Sequence, residues 1–160
     1  MEHIVMWERL DAPSIERLVL SEFNGTAVAN GTVIGLDGDT PFQVSYSVEY
    51  DERGHLRRVN AGVFSLVYGG DGHWQDSSGI PVPPFEGCTA IDILETPFTN
   101  TLAVKQLQLK PGESGEITVA WFHLAEGTWH PDRQRYTCLD KTEHGSTYRF
   151  EQLSSGFAAT

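Results

Sequence analysis

Phe42-Gln43-Val44-Ser45-Tyr46-Ser47-Val48-Glu49-Tyr50 is the stretch on which the fold class turns. Phe42, Val44, Tyr46, Val48 and Tyr50 fall on one side and Gln43, Ser45, Ser47 and Glu49 on the other. A period of two is the signature of a strand, and no helical face accommodates it. One apolar and one polar face describes a strand of an antiparallel sheet with its core on one side and water on the other. Turn chemistry brackets the run, with Asp37-Gly38-Asp39 before it and Asp51-Glu52-Arg53-Gly54 after it.

Working upstream, Thr26 to Leu36 reads as the preceding strand, and Asn24-Gly25 joins it to Ile15–Phe23 as a hairpin. Gly31 and Gly35 inside a strand mark a bulge or a tight bend, as where a sheet curls. His3–Trp7 reads as a first strand, ended by Asp11-Ala12-Pro13-Ser14. Downstream, Leu56–Tyr68 reads as one long strand that is apolar on both sides, with Val59, Ala61, Val63 and Val67 opposed to Phe64, Leu66 and Tyr68. Such a strand is either sandwiched in the core or lines a cavity. A short strand follows around Trp74. The Pro81-Val82-Pro83-Pro84 loop then breaks the ladder. Further strands are expected at Leu107–Leu109, Glu116–Leu124, Arg133–Leu139 and Thr147–Leu153, with one short helix at Thr99–Leu107. The expected fold is therefore mainly β: an antiparallel curled sheet, or a partial or closed barrel, with that one helix. The 160 residues read as a single domain, because either half alone is too small to bury a core.

Charge narrows the function. The chain carries 22 acidic and 11 basic residues, for a formal net charge of −11. A surface that negative repels phosphate backbones, so nucleic acid is excluded as a partner. No apolar run approaches the roughly 20 residues of a membrane span, and Met1-Glu2-His3 does not open a signal peptide. A cytoplasmic protein is expected. Its two cysteines, Cys88 and Cys138, are expected as buried thiols in that compartment.

The least generic run is Cys88 to Leu107. Ile91, Asp92 and Ile93 alternate as a short strand, and Pro97 ends regular structure at Thr96. Thr99, Asn100 and Thr101 crowd local hydrogen-bonding groups at the helix start. Asp92 and Glu95 could form an acid–base pair, or Asp92 could serve as a turn carboxylate bonded by the Thr99–Thr101 hydroxyls. Neither cysteine has a local activating histidine, and Gly69-Gly70-Asp71-Gly72 lacks the lysine and helix of a phosphate cradle. The six histidines are scattered without metal-ligand spacing, so they read as solvated polar groups, and no metal or cofactor is assigned. Trp7, Trp74, Trp121 and Trp129 are either core residues or the walls of a cavity, where an indole packs against sugar rings or alkyl chains.

Several runs, in order, resemble a bacterial family: Trp7-Glu8-Arg9-Leu10, Gly87-Cys88-Thr89-Ala90-Ile91-Asp92-Ile93, Thr96-Pro97-Phe98-Thr99-Asn100-Thr101-Leu102, Ala120-Trp121-Phe122, Gln134-Arg135-Tyr136-Thr137 and Ser155-Gly156-Phe157. The chain is similar along nearly its whole length to the family described as "putative glycolipid-binding". Ala103 stands where that pattern implies a proline, and the pattern continues for a strand or two beyond Thr160. The resemblance implies an all-β, lipoprotein-carrier-like fold, a lipid or glycolipid ligand and no catalytic residues. On that basis Trp7, Phe64, Tyr68, Trp121 and Phe122 are expected as apolar walls of an aromatic-lined cavity, with Asp92 at the site and Asn100, Gln134 and Tyr136 as polar anchors. The alternatives are an enzyme acting on a small amphiphile through Asp92, and a β scaffold that binds another protein by an exposed edge.

Overall fold

The computed structural model describes residues 1–159, leaving aside the side chain of Phe157. The first half of the chain is a seven-stranded antiparallel meander: β1 (Glu2–Glu8), β2 (Ser14–Phe23), β3 (Thr26–Asp37), β4 (Thr40–Asp51), β5 (Leu56–Ala61), β6 (Phe64–Gly70) and β7 (His73–Asp76), paired in chain order. A 3-10 turn at Pro83–Phe85 crosses to β8 (Ala90–Ile93), which leads into the helix α1 (Phe98–Leu107). Then come β9 (Ser114–His123), β10 (Thr128–Thr142), β11 (Gly145–Gln152) and β12 (Phe157–Ala159). These five strands form a second sheet, ordered β12-β11-β10-β9-β8. Its β8–β9 pair is parallel, as a strand–helix–strand crossover requires.

The meander curls. Tyr46 lies opposite Gly31, and its ring occupies the space a side chain there would need: a Cβ on Gly31 would sit 2.2 Å from the ring carbons. Register irregularities at Glu49/Tyr50 and Tyr68/Gly70 add local bends. The curl does not close a barrel. β1 and β7 remain edges, because past β7 only an isolated bridge, Gln75 to Pro81, continues the pairing before the prolines end it.

Leu56–Tyr68 is two strands, not one. Gly62 adopts a positive φ of 56°, and Val63 is left exposed at the reversal. A lone glycine in an otherwise apolar run concealed that turn. Nor is there a strand at Leu107–Leu109. The helix runs through Leu107 and ends on a left-handed Gln108. β10 extends well beyond Arg133–Leu139 and contains Pro131. Pro131 is tolerated because it pairs only with β9, β11 having stopped opposite Gln134. β12 was not expected at all.

Two apolar clusters follow from the alternation of the second sheet. Ile91, Ile93, Ala120 and Phe122 face the meander and meet Leu18, Val48, Val59, Trp74 and Phe85. Ala90, Val119, Tyr136 and Cys138 face the other way. Helix α1 serves both, through Phe98 and Leu102 on one side and Ala103 on the other. Gln106 ties it to each sheet, donating from Nε2 to the carbonyls of Gly54 and Thr89. Cys88 and Cys138 are free and buried, and burial pushes the Cys88 thiol up to about 11. Among the described residues, no helix is long and apolar enough to cross a membrane.

Candidate functional site

Beside the carboxyl end of β8 lies a cleft of about 600 Å³. One wall is the edge of the meander, with Trp7 and Arg9 from β1 and its exit and Glu16 from β2. The other is the outward face of the second sheet, with Asp92 and Trp121. Glu95, Thr96 and Asn100 close the base. Five carboxyl groups line it (Glu8, Asp11, Glu16, Asp92 and Glu95) against the guanidinium of Arg9.

The base is built by the Thr96–Asn100 run. The Thr96 hydroxyl accepts the Phe98 N–H at 3.1 Å, starting the helix, and donates to Glu16 Oε2 at 2.8 Å. Tyr46 donates to Glu16 Oε1 at 2.5 Å and lies 3.2 Å from the Thr96 hydroxyl. The glycine at position 31 is what lets Tyr46 lie flat enough to reach Glu16, two strands away. Thr99 accepts the Ile93 N–H at 3.1 Å and turns its own hydroxyl to Asp92 Oδ1 at 3.4 Å. On the other side, Gln134 donates to Asp92 Oδ2 at 2.7 Å and Tyr136 donates to Asn100 Oδ1 at 2.8 Å.

These carboxyls are kept without cations. Among the described residues neither Glu16 nor Asp92 has an ion-pair partner. Withdrawal from water raises the pKa of each above the ordinary carboxylate range, against the hydrogen bonds that pull it down. Withdrawal from water likewise raises Tyr46 and Tyr136. At the mouth the balance differs. Arg9 Nε donates to Asp11 Oδ1 at 2.6 Å, and that bond raises the guanidinium and lowers the carboxylate. Arg9, the basic group among the described residues lining the cleft, is thus already engaged.

The residues expected from the sequence divide into three sets. Trp7, Asp92, Asn100 and Trp121 line the cleft together. Gln134 and Tyr136, fully buried, lie one layer beneath and hold Asp92 and Asn100. Phe64 and Phe122 are elsewhere: their ring centroids are 5.2 Å apart in the core between the sheets, where Phe85 packs on both. Tyr68 packs on Trp74 at 4.9 Å, accepts the Gly72 N–H and borders a separate depression beside Gly69 and Gln106. The sequence reading overlooked Glu16 and Arg9. Glu16 occupies an inward position of β2, in step with Leu18 and Leu20, and a carboxyl in step with core leucines is the signal that could have marked it.

Comparison with known proteins fixes the family. The model described as "Putative glycolipid-binding" matches residues 4–160. The chain belongs to this family. A crystal structure of a DUF1089 family protein from Pseudomonas aeruginosa is similar at a TM-score of 0.76 and 31% identity, over 96% of this chain and 84% of that one. No curated protein matches the chain.

Proposed function

We propose that this protein of the glycolipid-binding family holds the uncharged, hydroxyl-rich head group of a glycolipid in the cleft at the end of β8. The observation that carries the reading is one of composition in space. Two indoles, Trp7 and Trp121, share a 600 Å³ cleft with the carboxyl group of Asp92 and the side-chain amide of Asn100. That volume lies within the roughly 300–1,000 Å³ of small-molecule sites. An indole face packs against the C–H face of a sugar ring, and carboxyl and amide oxygens accept its hydroxyls. An anionic head group meets five carboxyls and an arginine already committed to Asp11, so phospholipids are disfavoured. The ligand's polar end then occupies the cleft, and the packed rings around Phe122 leave its alkyl chain to the half-exposed rim near Trp7. Cytoplasmic binding of a bacterial glycolipid, without catalysis, is the function this supports.

A second reading rests on Asp92 alone. A carboxyl with a raised pKa at the edge of a cleft suits a general acid. Its oxygens are engaged by Gln134 and Thr99, which favours the positioning of a ligand over proton transfer.

Octyl glucoside below its micellar concentration, octyl phosphate and free glucose separate these contributions by calorimetry. Octyl glucoside is expected to bind, glucose more weakly and octyl phosphate not at all. Trp121→Ala is expected to weaken octyl glucoside by roughly tenfold, equivalent to about 1.4 kcal/mol. Equal binding of octyl phosphate would remove the head-group reading, and hydrolysis of the glucoside would favour the second.

A further inference from the structure

Leu10, in the reversal from β1 to β2, is 100% exposed. A leucine that nothing covers gains nothing from folding, so its apolar surface remains to be buried against something else. It does not stand alone. Ile15 and Ile34 are partners across β2 and β3 and are 48% and 53% exposed. Their chain neighbours Glu16 and Val33 are buried, so alternation turns both isoleucines to the outer face of the meander. Leu36, two residues on from Ile34, is exposed on the same face. We propose that this end of the meander, carrying Leu10, Ile15, Ile34 and Leu36, is a docking face for a lipid surface without net charge.

The backbone holds these side chains together. The Arg9 N–H donates to the Ser14 carbonyl at 3.0 Å, and the Leu36 N–H donates to the Pro13 carbonyl at 2.9 Å. The first bond closes the reversal on itself, and the second ties it to the end of β3. Gly35 lets the two lie close, since a Cβ there would come within 2.4 Å of Ser14 Cβ. Side chains fixed beforehand cost less to order when they are seated on a partner. The charges flanking Leu10 are also disposed of. Arg9 donates to Asp11 twice, from Nε to Oδ1 at 2.6 Å and from Nη2 to Oδ2 at 3.1 Å. Leu10 can therefore enter an apolar layer without carrying an unpaired charge into it.

Charge and position select the occupant. Glu8 lies opposite Ile15, and Asp37 follows Leu36, so carboxylates border the face. They and the net charge of −11 repel an anionic bilayer. A second copy of the chain brings the same carboxylates and the same net charge, which opposes self-association through this face. A zwitterionic or neutral bilayer meets neither penalty. The face also adjoins the cleft. Trp7, Arg9, Asp11 and Ser14, from the reversal and the strands it joins, line the cleft together with the exposed Leu94. Docking therefore deepens the head-group reading and, for what the cleft then holds, rests on it: the head group is engaged while the alkyl chains stay in the bilayer.

The test is flotation of the full chain with phosphatidylcholine vesicles that contain no glycolipid, beside vesicles of phosphatidylglycerol. The chain is expected to float with the first and less with the second, the difference shrinking as salt screens the charges. Leu10→Ser should weaken flotation with phosphatidylcholine about tenfold. Phe23→Ser removes an exposed ring at the opposite end of β2 and should leave flotation unchanged. Both side chains lie outside the core, so the two variants should unfold at the urea midpoint of the native chain. The proposal is overturned by an absence of flotation with phosphatidylcholine, by tighter binding to phosphatidylglycerol, or by undiminished flotation of Leu10→Ser. An equal loss in Phe23→Ser also overturns it, as does a lipid-free dimer that Leu10→Ser disperses, which would give the face to a second copy. Failure of octyl glucoside to bind would bear only on the head-group reading, because these vesicles carry no sugar.

Discussion

Phe122 and Asp92 stand on adjacent strands of the same sheet and point to opposite faces of it. Phe122 is buried among rings, 5.2 Å from Phe64 and 5.6 Å from Phe85, with Trp129 tilted against Phe85 beyond at 4.4 Å. Asp92 is partly buried among donors drawn from β10 and α1. The seam between the sheets needs only shape, so any ring of the right size drifts toward it. The cleft needs a named donor for each acceptor, and those donors come from four separate elements. A pocket on this protein therefore forms where the polar network is, and the apolar middle is filled by the chain's own side chains.

The largest effect expected is in the seam. Phe122→Ala should destabilise the fold by about 3–5 kcal/mol, read from urea unfolding followed by tryptophan emission. A loss under about 1 kcal/mol would mean that the rings around Phe122 leave a hollow and that the seam, like the cleft, is not filled by the chain's own side chains.

Next comes the hinge between the regions, Gly31. Gly31→Ala puts a Cβ inside the Tyr46 ring and should cost about 1–3 kcal/mol, partly by moving the hydroxyl away from Glu16. Tyr46→Phe leaves Glu16 short of a donor and should cost about 1–3 kcal/mol by itself. Because both changes break the same bond, the double variant should be less destabilised than the sum of the two. Strict additivity in the double-mutant cycle would separate the glycine from the tyrosine–glutamate contact.

How much of this the sequence disclosed follows the same division. The strands whose alternation is clean, such as Phe42–Tyr50, could be read because one face is dry and the other wet. Leu56–Tyr68 could not be divided: Val59 and Ala61 of β5 are buried and Arg58 and Asn60 exposed, but both faces of β6 are partly buried, and the break between the two strands is a single glycine, Gly62. Trp7, Asp92, Asn100 and Trp121, which the motifs single out, line one cleft. Phe64 and Phe122 pack on other rings instead of lining a cavity, and an inward aromatic looks the same in sequence whether it meets a ligand or another ring. Glu16 escaped because its significance depends on register: only the pairing of β2 with β3, and of β3 with β4, brings it to Tyr46. The Thr96–Leu102 run carries both roles. Its threonines bond the helix start and the two carboxyls, while Asn100 faces the cleft.

The smallest effect is the most diagnostic, because its sign is fixed. Removal from water raises the pKa of Asp92 in the folded protein. The folded state therefore holds that proton more tightly than the unfolded chain. The resulting stability is complete below the unfolded carboxylate pKa of about 3.9 and is lost as pH rises through the higher folded value. Asp92→Asn keeps an acceptor for Gln134 and has nothing to ionise. Relative to the native protein it should gain stability as pH rises across that window and then hold a constant difference, measured by urea midpoints at a series of pH values. Glu16 is present in both proteins and its own contribution largely cancels, while Glu16→Gln should show a change of the same sign. If instead Asp92→Asn loses ground as pH rises, the aspartate is favoured as an anion. The hydrogen bonds from Gln134 and Thr99 would then outweigh the withdrawal from water, and Asp92 would present a charged rather than a neutral acceptor to the cleft.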